Sequence, residues 1–154
     1  MEITSEEQIP PILQRVRYGI IEGWRTVFKM IKFVLPLYIV VDLCKAYGLL
    51  DSLGTWCAPF MGLFGLPGAT AFAFIAGSLI NLYAAIAVLA PLDLTPWQVT
   101  QCGVMMGIAH NLVLEGGVLS STGARGGVLT LCRILLAAIA GWLMMGMQVL
   151  GVAG

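Results

Sequence analysis

Charge is the scarcest feature of this sequence: eight Lys/Arg and eight Asp/Glu in 154 residues, 10% of the chain, against 59% hydrophobic. Soluble domains carry about 25% charged residues, so water cannot be the solvent for most of this surface, and a mean hydropathy of +0.94 agrees. There is one histidine, His110, and no GxSxG motif, so no hydrolase arrangement is readable. The absence of a GxxxxGK[ST] run excludes a phosphate loop despite Gly123, Gly126 and Gly127. Cys44, Cys57, Cys102 and Cys132 form no CxxC pair and read as small buried hydrophobes rather than a thiolate metal site. No basic stripe interleaved with aromatics follows the N-terminal third, so no nucleic-acid partner is expected. Residues 1–10 are polar and acidic, so no cleavable signal peptide is expected. The chain is expected not to be an enzyme.

What is present is apolar helix. Leu13, Val16, Ile20, Trp24, Val27, Phe28 and Ile31 recur at helical spacing, with Arg25, Lys29 and Lys32 forming a cationic face. Residues 10–32 therefore read as an amphipathic helix on the membrane surface, or as the wet end of the first span. Basic residues here (Arg15 and Arg17 as well) place the N-terminus in the cytoplasm by the positive-inside rule. The division expected is an N-terminal helix over 1–32 and one membrane domain over 33–154.

A first span covers about 33–50, where Asp42 and Lys45 could pair on one face or sit at the far interface. Residues 51–67, broken by Gly54, Pro59, Gly62, Gly65 and Pro67, suit a half-membrane segment or an interfacial one. A second span runs over about 68–90. The turn PLDLTPW places Asp93 and Thr95 to start a third, over about 97–119, and a last span covers about 128–150. If 51–67 crosses, Arg125 and Arg133 fall inside; if it does not, they fall outside, against the charge rule. The fold class is thus an all-α membrane protein, with an interfacial N-terminal helix and four or five transmembrane or broken helices.

Polar residues within the third apolar stretch carry the chemistry. His110, Asn111 and Glu115 stand in GVMMGIAHNLVLEGGVLSSTG, where a mid-bilayer charge costs at least about 2.5–3.5 kcal/mol and usually faces protein or water. Asn111 and Glu115 share a helix face, and Gly116–Gly117 mark where the helix could break. A broken helix frees backbone groups to bind an ion or polar solute. The other reading is packing glue, with Asn111 and Glu115 bonding to Asn81, Tyr83 or another helix. Gly103, Gly107, Ala73 and Gly77 offer small faces for close packing. Met105, Met106, Met144, Met145 and Met147 read as core filler.

The run GLFGLPGATAFAFIAGSLINLYAAIAVL followed by GIAHNLVLEGGVLSSTG resembles small bacterial membrane proteins with a "nucleoside recognition", or Gate, domain. Related segments occur in spore maturation membrane proteins and in pairs within ferrous-iron transporters; the resemblance covers about 28–150. It implies a transporter-like helical unit in the bacterial inner membrane, with its polar points on Asn81, His110, Asn111 and Glu115. The expected function is transport of a nucleoside-like solute or a divalent cation. Glu115 would be the charged ligand, His110 a second ligand or proton relay, and Asn81 and Asn111 neutral hydrogen-bonding groups. A bound cation, if any, would sit on His110 and Glu115. One such chain amounts to one repeat of a transporter, so a homodimer or a second Gate-domain protein is the expected partner. The alternative is a non-transporting scaffold or regulatory subunit of a membrane complex.

Overall fold

The computed structural model describes residues 11–151, and all regular structure among them is helical. In chain order the helices are α1 (Ile12–Ala46), α2 (Leu49–Gly62), α3 (Thr70–Leu79), α4 (Leu82–Leu89), α5 (Pro96–Ile108), α6 (Leu112–Ser121) and α7 (Gly126–Val149). Two compact units divide between Phe33 and Val34. The first ten residues of the expected N-terminal element lie outside the described residues.

In the first unit α1 carries a T-shaped Trp24–Phe28 pair, with centroids 5.3 Å apart, and an exposed Arg25–Glu22 ion pair. Its apolar side chains are uncovered: Leu13 is 82% exposed and Trp24 65%. No helix end falls near residue 32. A single helix of 35 residues runs on to Ala46 with Pro36 inside it.

In the second unit, left-handed Gly48 turns the chain from α1 into α2. The 14 residues of α2 span about 21 Å, short of a hydrocarbon core of about 30 Å. Gly68 follows against it so closely that a Cβ there would overlap the carbonyl oxygen of Gly54.

The expected span over 68–90 does not exist as one helix. α3 and α4 are separate and fold back on one another: a Cβ on Gly77 would lie 3.1 Å from that of Ala85, whereas eight residues of continuous helix cover about 12 Å. Small residues allow the approach, with Ala73, Ala84 and Ala85 wholly buried between the arms. Where lipid is as apolar as the side chains, such packing is what holds helices together. The reversal falls at residues 80–81, where extended Asn81 caps α4 by accepting from the Ala84 N–H at 2.9 Å. A Cβ on Gly103 or Gly107 of α5, expected to form a packing face, would meet no other element within 4 Å among the described residues.

Thr95 starts α5 as expected, with a capping box to Gln98 and Pro96 in the first turn. α5 and α7 run antiparallel, since Gln101 meets Gly141 while Ile108 meets Arg133. Gln101 is fully buried, and its Nε2 donates to the Phe64 and Gly141 carbonyls at 2.8 and 3.0 Å. It thereby ties the α2–α3 turn to α7. Met105 and Met106 are core residues, 4% and 2% exposed, and all four cysteines are free.

Lys45 does not pair with Asp42. It donates to the Pro91 carbonyl at 2.6 Å and meets Asp93 at 2.8 Å, because the α4–α5 turn lies beside the end of α1. Both placements of Arg125 rest on a crossing at 68–90, and the hairpin removes that premise by returning the chain to the end it came from.

Two stretches are long and apolar enough to cross a membrane, residues 96–121 (α5 with α6) and α7. Outward side chains of α7, such as Leu135, Leu136, Ile139 and Leu143, are about half exposed or more; an apolar face this continuous needs lipid rather than water. The molecule is an all-α membrane protein.

Candidate functional site

The polar cluster forms where one crossing is interrupted. α5 ends at Ile108, residues 109–111 are non-helical, and α6 begins at Leu112. The break lies before Glu115, not after it at Gly116–Gly117, which stay helical. Asn111 turns the chain with φ 49°, the left-handed region that Asn tolerates better than most side chains. Gly116 is needed for another reason: a Cβ there would come 2.8 Å from Thr130 Oγ1 of α7.

A helix end leaves carbonyls without partners, and here other elements supply them. Arg133, on α7, donates through Nε to the Ile108 carbonyl at 2.7 Å and through an η nitrogen to the His110 carbonyl at 3.2 Å. Ser78 of α3 donates to the Ala109 carbonyl at 3.1 Å. In the other direction, the Asn111 N–H donates to the Gly77 carbonyl at 2.9 Å. One guanidinium, one hydroxyl and one backbone bond thus close the break.

The second η nitrogen of Arg133 is hydrogen-bonded to a carboxylate oxygen of Glu115. Both charges sit favourably along the broken helix. Glu115 is in the first turn of α6, the positive end of its dipole, and Arg133 meets the carbonyl end of α5. The Arg133 and Glu115 side chains are 24% and 38% exposed.

His110 Nδ1 lies 3.1 and 3.0 Å from the Met106 and Gly107 carbonyls. Carbonyls only accept, so Nδ1 carries the hydrogen and Nε2 is the variable nitrogen. Nε2 faces Glu115 Oε1 at 3.7 Å, beyond hydrogen-bonding distance.

Of the four residues named from sequence, His110 and Glu115 come together. Asn111 contributes backbone geometry, and Asn81 is a helix cap on the adjoining hairpin. Neither asparagine side chain bonds to Glu115 among the described residues. Sequence reasoning misses Arg133 and Ser78. The signal for Arg133 is a lone charge inside the last apolar run, a position usually occupied for function. No group of three or more His, Cys, Asp or Glu capable of holding a metal ion occurs among the described residues.

Beside the break lies a cavity of about 440 Å³, within the range of small-molecule sites. Phe64, Phe74, Met105, Leu112 and Ile134 make apolar walls, and Ser78 brings a hydroxyl. His110, Glu115 and Arg133 do not line it; Ala109 and Leu112, on either side of the break, do.

A match to the Gate family, described as nucleoside recognition, covers residues 27–153. The chain is also similar to an uncharacterized membrane protein, YvoD, of Bacillus subtilis (strain 168). The two are 37% identical over 121 residues, which is 79% of this chain and 39% of that protein. The chain therefore spans about two fifths of the length of this curated relative. No solved structure matches it.

Proposed function

The chain belongs to the Gate, or nucleoside recognition, family, and from that premise we propose that it carries a small uncharged polar solute across the bacterial inner membrane. The observation that supports this reading is the pairing of Glu115 with Arg133 at the break, next to the 440 Å³ cavity. Glu115 and Arg133 offset each other's charge. A divalent cation would have to compete with a guanidinium already seated on the carboxylate, which favours an uncharged cargo over a metal ion.

In this reading the solute's apolar ring or chain lies against Phe64, Phe74 and Leu112. Its polar edge donates to the Ser78 hydroxyl oxygen and the Ala109 carbonyl, since the Ser78 O–H and the Ala109 N–H are already engaged. Glu115, His110 and Arg133 hold the break and set the position of those groups. The N-terminus is cytoplasmic, in keeping with its five basic residues. Transporters commonly place the solute between two repeats, and this chain supplies one hairpin and one broken helix. It therefore works with a second copy or a second Gate protein, and the greater length of the Bacillus subtilis relative leaves room for a further repeat.

The test is thermal stability of the purified protein against nucleosides, divalent cations and small carboxylates. A ligand binding only the folded state raises stability with concentration. A nucleoside or similar neutral solute should stabilise the wild type, and Phe74→Ala and Leu112→Ala should weaken that effect while keeping helical content. Glu115→Gln should impair uptake into vesicles more than it impairs folding. Stabilisation by a divalent cation alone, lost in Glu115→Gln, would overturn the neutral-solute reading.

A further inference from the structure

The first 22 residues of α1 carry a pattern that the solute site does not use. Leu13, Val16 and Ile20 recur eleven residues later as Trp24, Val27 and Ile31. Eleven residues are about three turns at 3.67 residues each, so this stripe runs nearly parallel to the helix axis, within an arc of about 80°. Ile21 and Phe28 widen it on one side. Arg15, Arg25, Lys29 and Lys32 fall within about 100° on the opposite face, while Arg17 projects inside the widened face, between Trp24 and Phe28, where its stem can snorkel to the headgroups. Five cations stand against the single carboxylate Glu22 in this stretch. The stripe is uncovered: Ile20 is 67% exposed, and Phe28 57%.

Pro36 adds a mechanical element. Having no N–H, it leaves the Lys32 carbonyl without its helical partner, so α1 bends most easily between Lys32 and Pro36. There the two-faced pattern gives way to residues apolar on every side, from Phe33 to Val41. The boundary between compact units falls in the same interval, between Phe33 and Val34.

We infer that residues 12–32 form a hinged arm that docks on the anionic leaflet of the bilayer, with Leu13, Val16, Ile20, Trp24, Val27 and Ile31 in the acyl boundary and the cations among the lipid phosphates. With Ile21 and Phe28 the apolar face spans about 140°, broader than a coiled-coil seam, and the cations opposite it match a layer of lipid phosphates. A second copy is disfavoured by charge too, because parallel arms would bring like cations together. The docking is lipid-selective: cations near an anionic surface strengthen binding by about fivefold each at low salt, and the effect fades within a Debye length. It does not depend on the identity of the transported solute.

The test uses the full chain in vesicles of phosphatidylcholine, with and without phosphatidylglycerol, containing acyl chains brominated near the headgroup. The share of fluorescence due to Trp24 is taken by difference from Trp24→Phe. Quenching of that share should require phosphatidylglycerol, fall as salt is raised, and fall again in the triple variant Arg25→Gln/Lys29→Gln/Lys32→Gln. Pro36→Ala, which leaves every charge in place, should reduce quenching by restoring the helical bond. Circular dichroism and elution volume of each variant keep misfolding distinct from lost docking. Equal quenching in both lipids, insensitive to salt, would overturn the anionic selectivity. No quenching, with cross-linking of arms between copies, would instead assign the stripe to a second chain.

Discussion

Replacing Arg133 by alanine removes three bonds at once, and their worth can be worked out separately. The two to the Ile108 and His110 carbonyls are charge-assisted, at 2.7 and 3.2 Å, and are worth about 1.5 kcal/mol each at the lower end for half-buried groups. The third strands the Glu115 carboxylate. Breaking a fully buried pair costs about 3–5 kcal/mol, but Glu115 is 38% exposed, so solvent screening reduces this to about 1 kcal/mol. The total is roughly 4 kcal/mol. For a chain of this size each kcal/mol moves the melting temperature by about 2–4 °C, so Arg133→Ala should melt roughly 10 °C below the wild type in detergent. Adding Glu115→Gln to Arg133→Ala should recover part of the loss, because the stranded charge is gone while the orphaned carbonyls remain. Arg133→Lys should fall between, since a single point charge cannot serve three acceptors at once. If Arg133→Ala melts within about 2 °C of the wild type, or if the double variant is less stable than the single one, then Arg133 is not what closes the break.

Three further outcomes follow from the same geometry. Asn81→Ala should cost about 1 kcal/mol in chemical unfolding, with the uncharged cap of Asn81→Ser closer to wild type, because the side chain acts as the α4 cap; a large loss of binding with unchanged stability would instead make Asn81 a ligand. Asp93 is 93% exposed where it meets Lys45, so Asp93→Asn should shift stability by less than about 0.5 kcal/mol, while Lys45→Met, which also loses the Pro91 carbonyl bond, should cost about 1 kcal/mol or more. Gln101→Leu leaves the Phe64 carbonyl without a donor among the described residues and removes the tie to Gly141, whose carbonyl keeps its partner within α7. It should cost about 2 kcal/mol and speed hydrogen exchange in the α2–α3 turn.

The membrane class is readable from sequence because a deficit of charge is a property of the whole chain. The start of α5 is readable because Thr95, Pro96 and Gln98 act on their immediate neighbours. Local rules do less well wherever distant segments decide. Nothing in the composition of 68–90 separates a span from a hairpin; the fold-back depends on Gly77 meeting Ala85, and its one local sign, Asn81 as a cap, reads equally as a polar ligand. Helix propensity points to Gly116–Gly117 for the break, yet Gly116 is there for close approach to Thr130, and Asn111 makes the turn. Lys45 and Glu115 each have a plausible partner nearby in sequence, Asp42 and Asn111, but find Asp93 and Arg133 on other elements. His110 and Glu115 stand out because ionisable groups are rare in such surroundings; Arg133, equally rare, reads from sequence as an edge residue of its helix.

The bond from the Asn111 N–H to the Gly77 carbonyl, with Ser78 reaching the Ala109 carbonyl, has a mechanical consequence. It welds the hairpin to the broken helix at their discontinuities, the places where each would otherwise be most compliant. In an apolar medium these bonds have no water to exchange with, so separating the two pieces would be slow. In the proposed transport cycle any rocking motion should carry the hairpin and the broken helix as one lever arm, together with α7, which Arg133 and Gln101 tie to them, with a compliant joint at the left-handed Gly48.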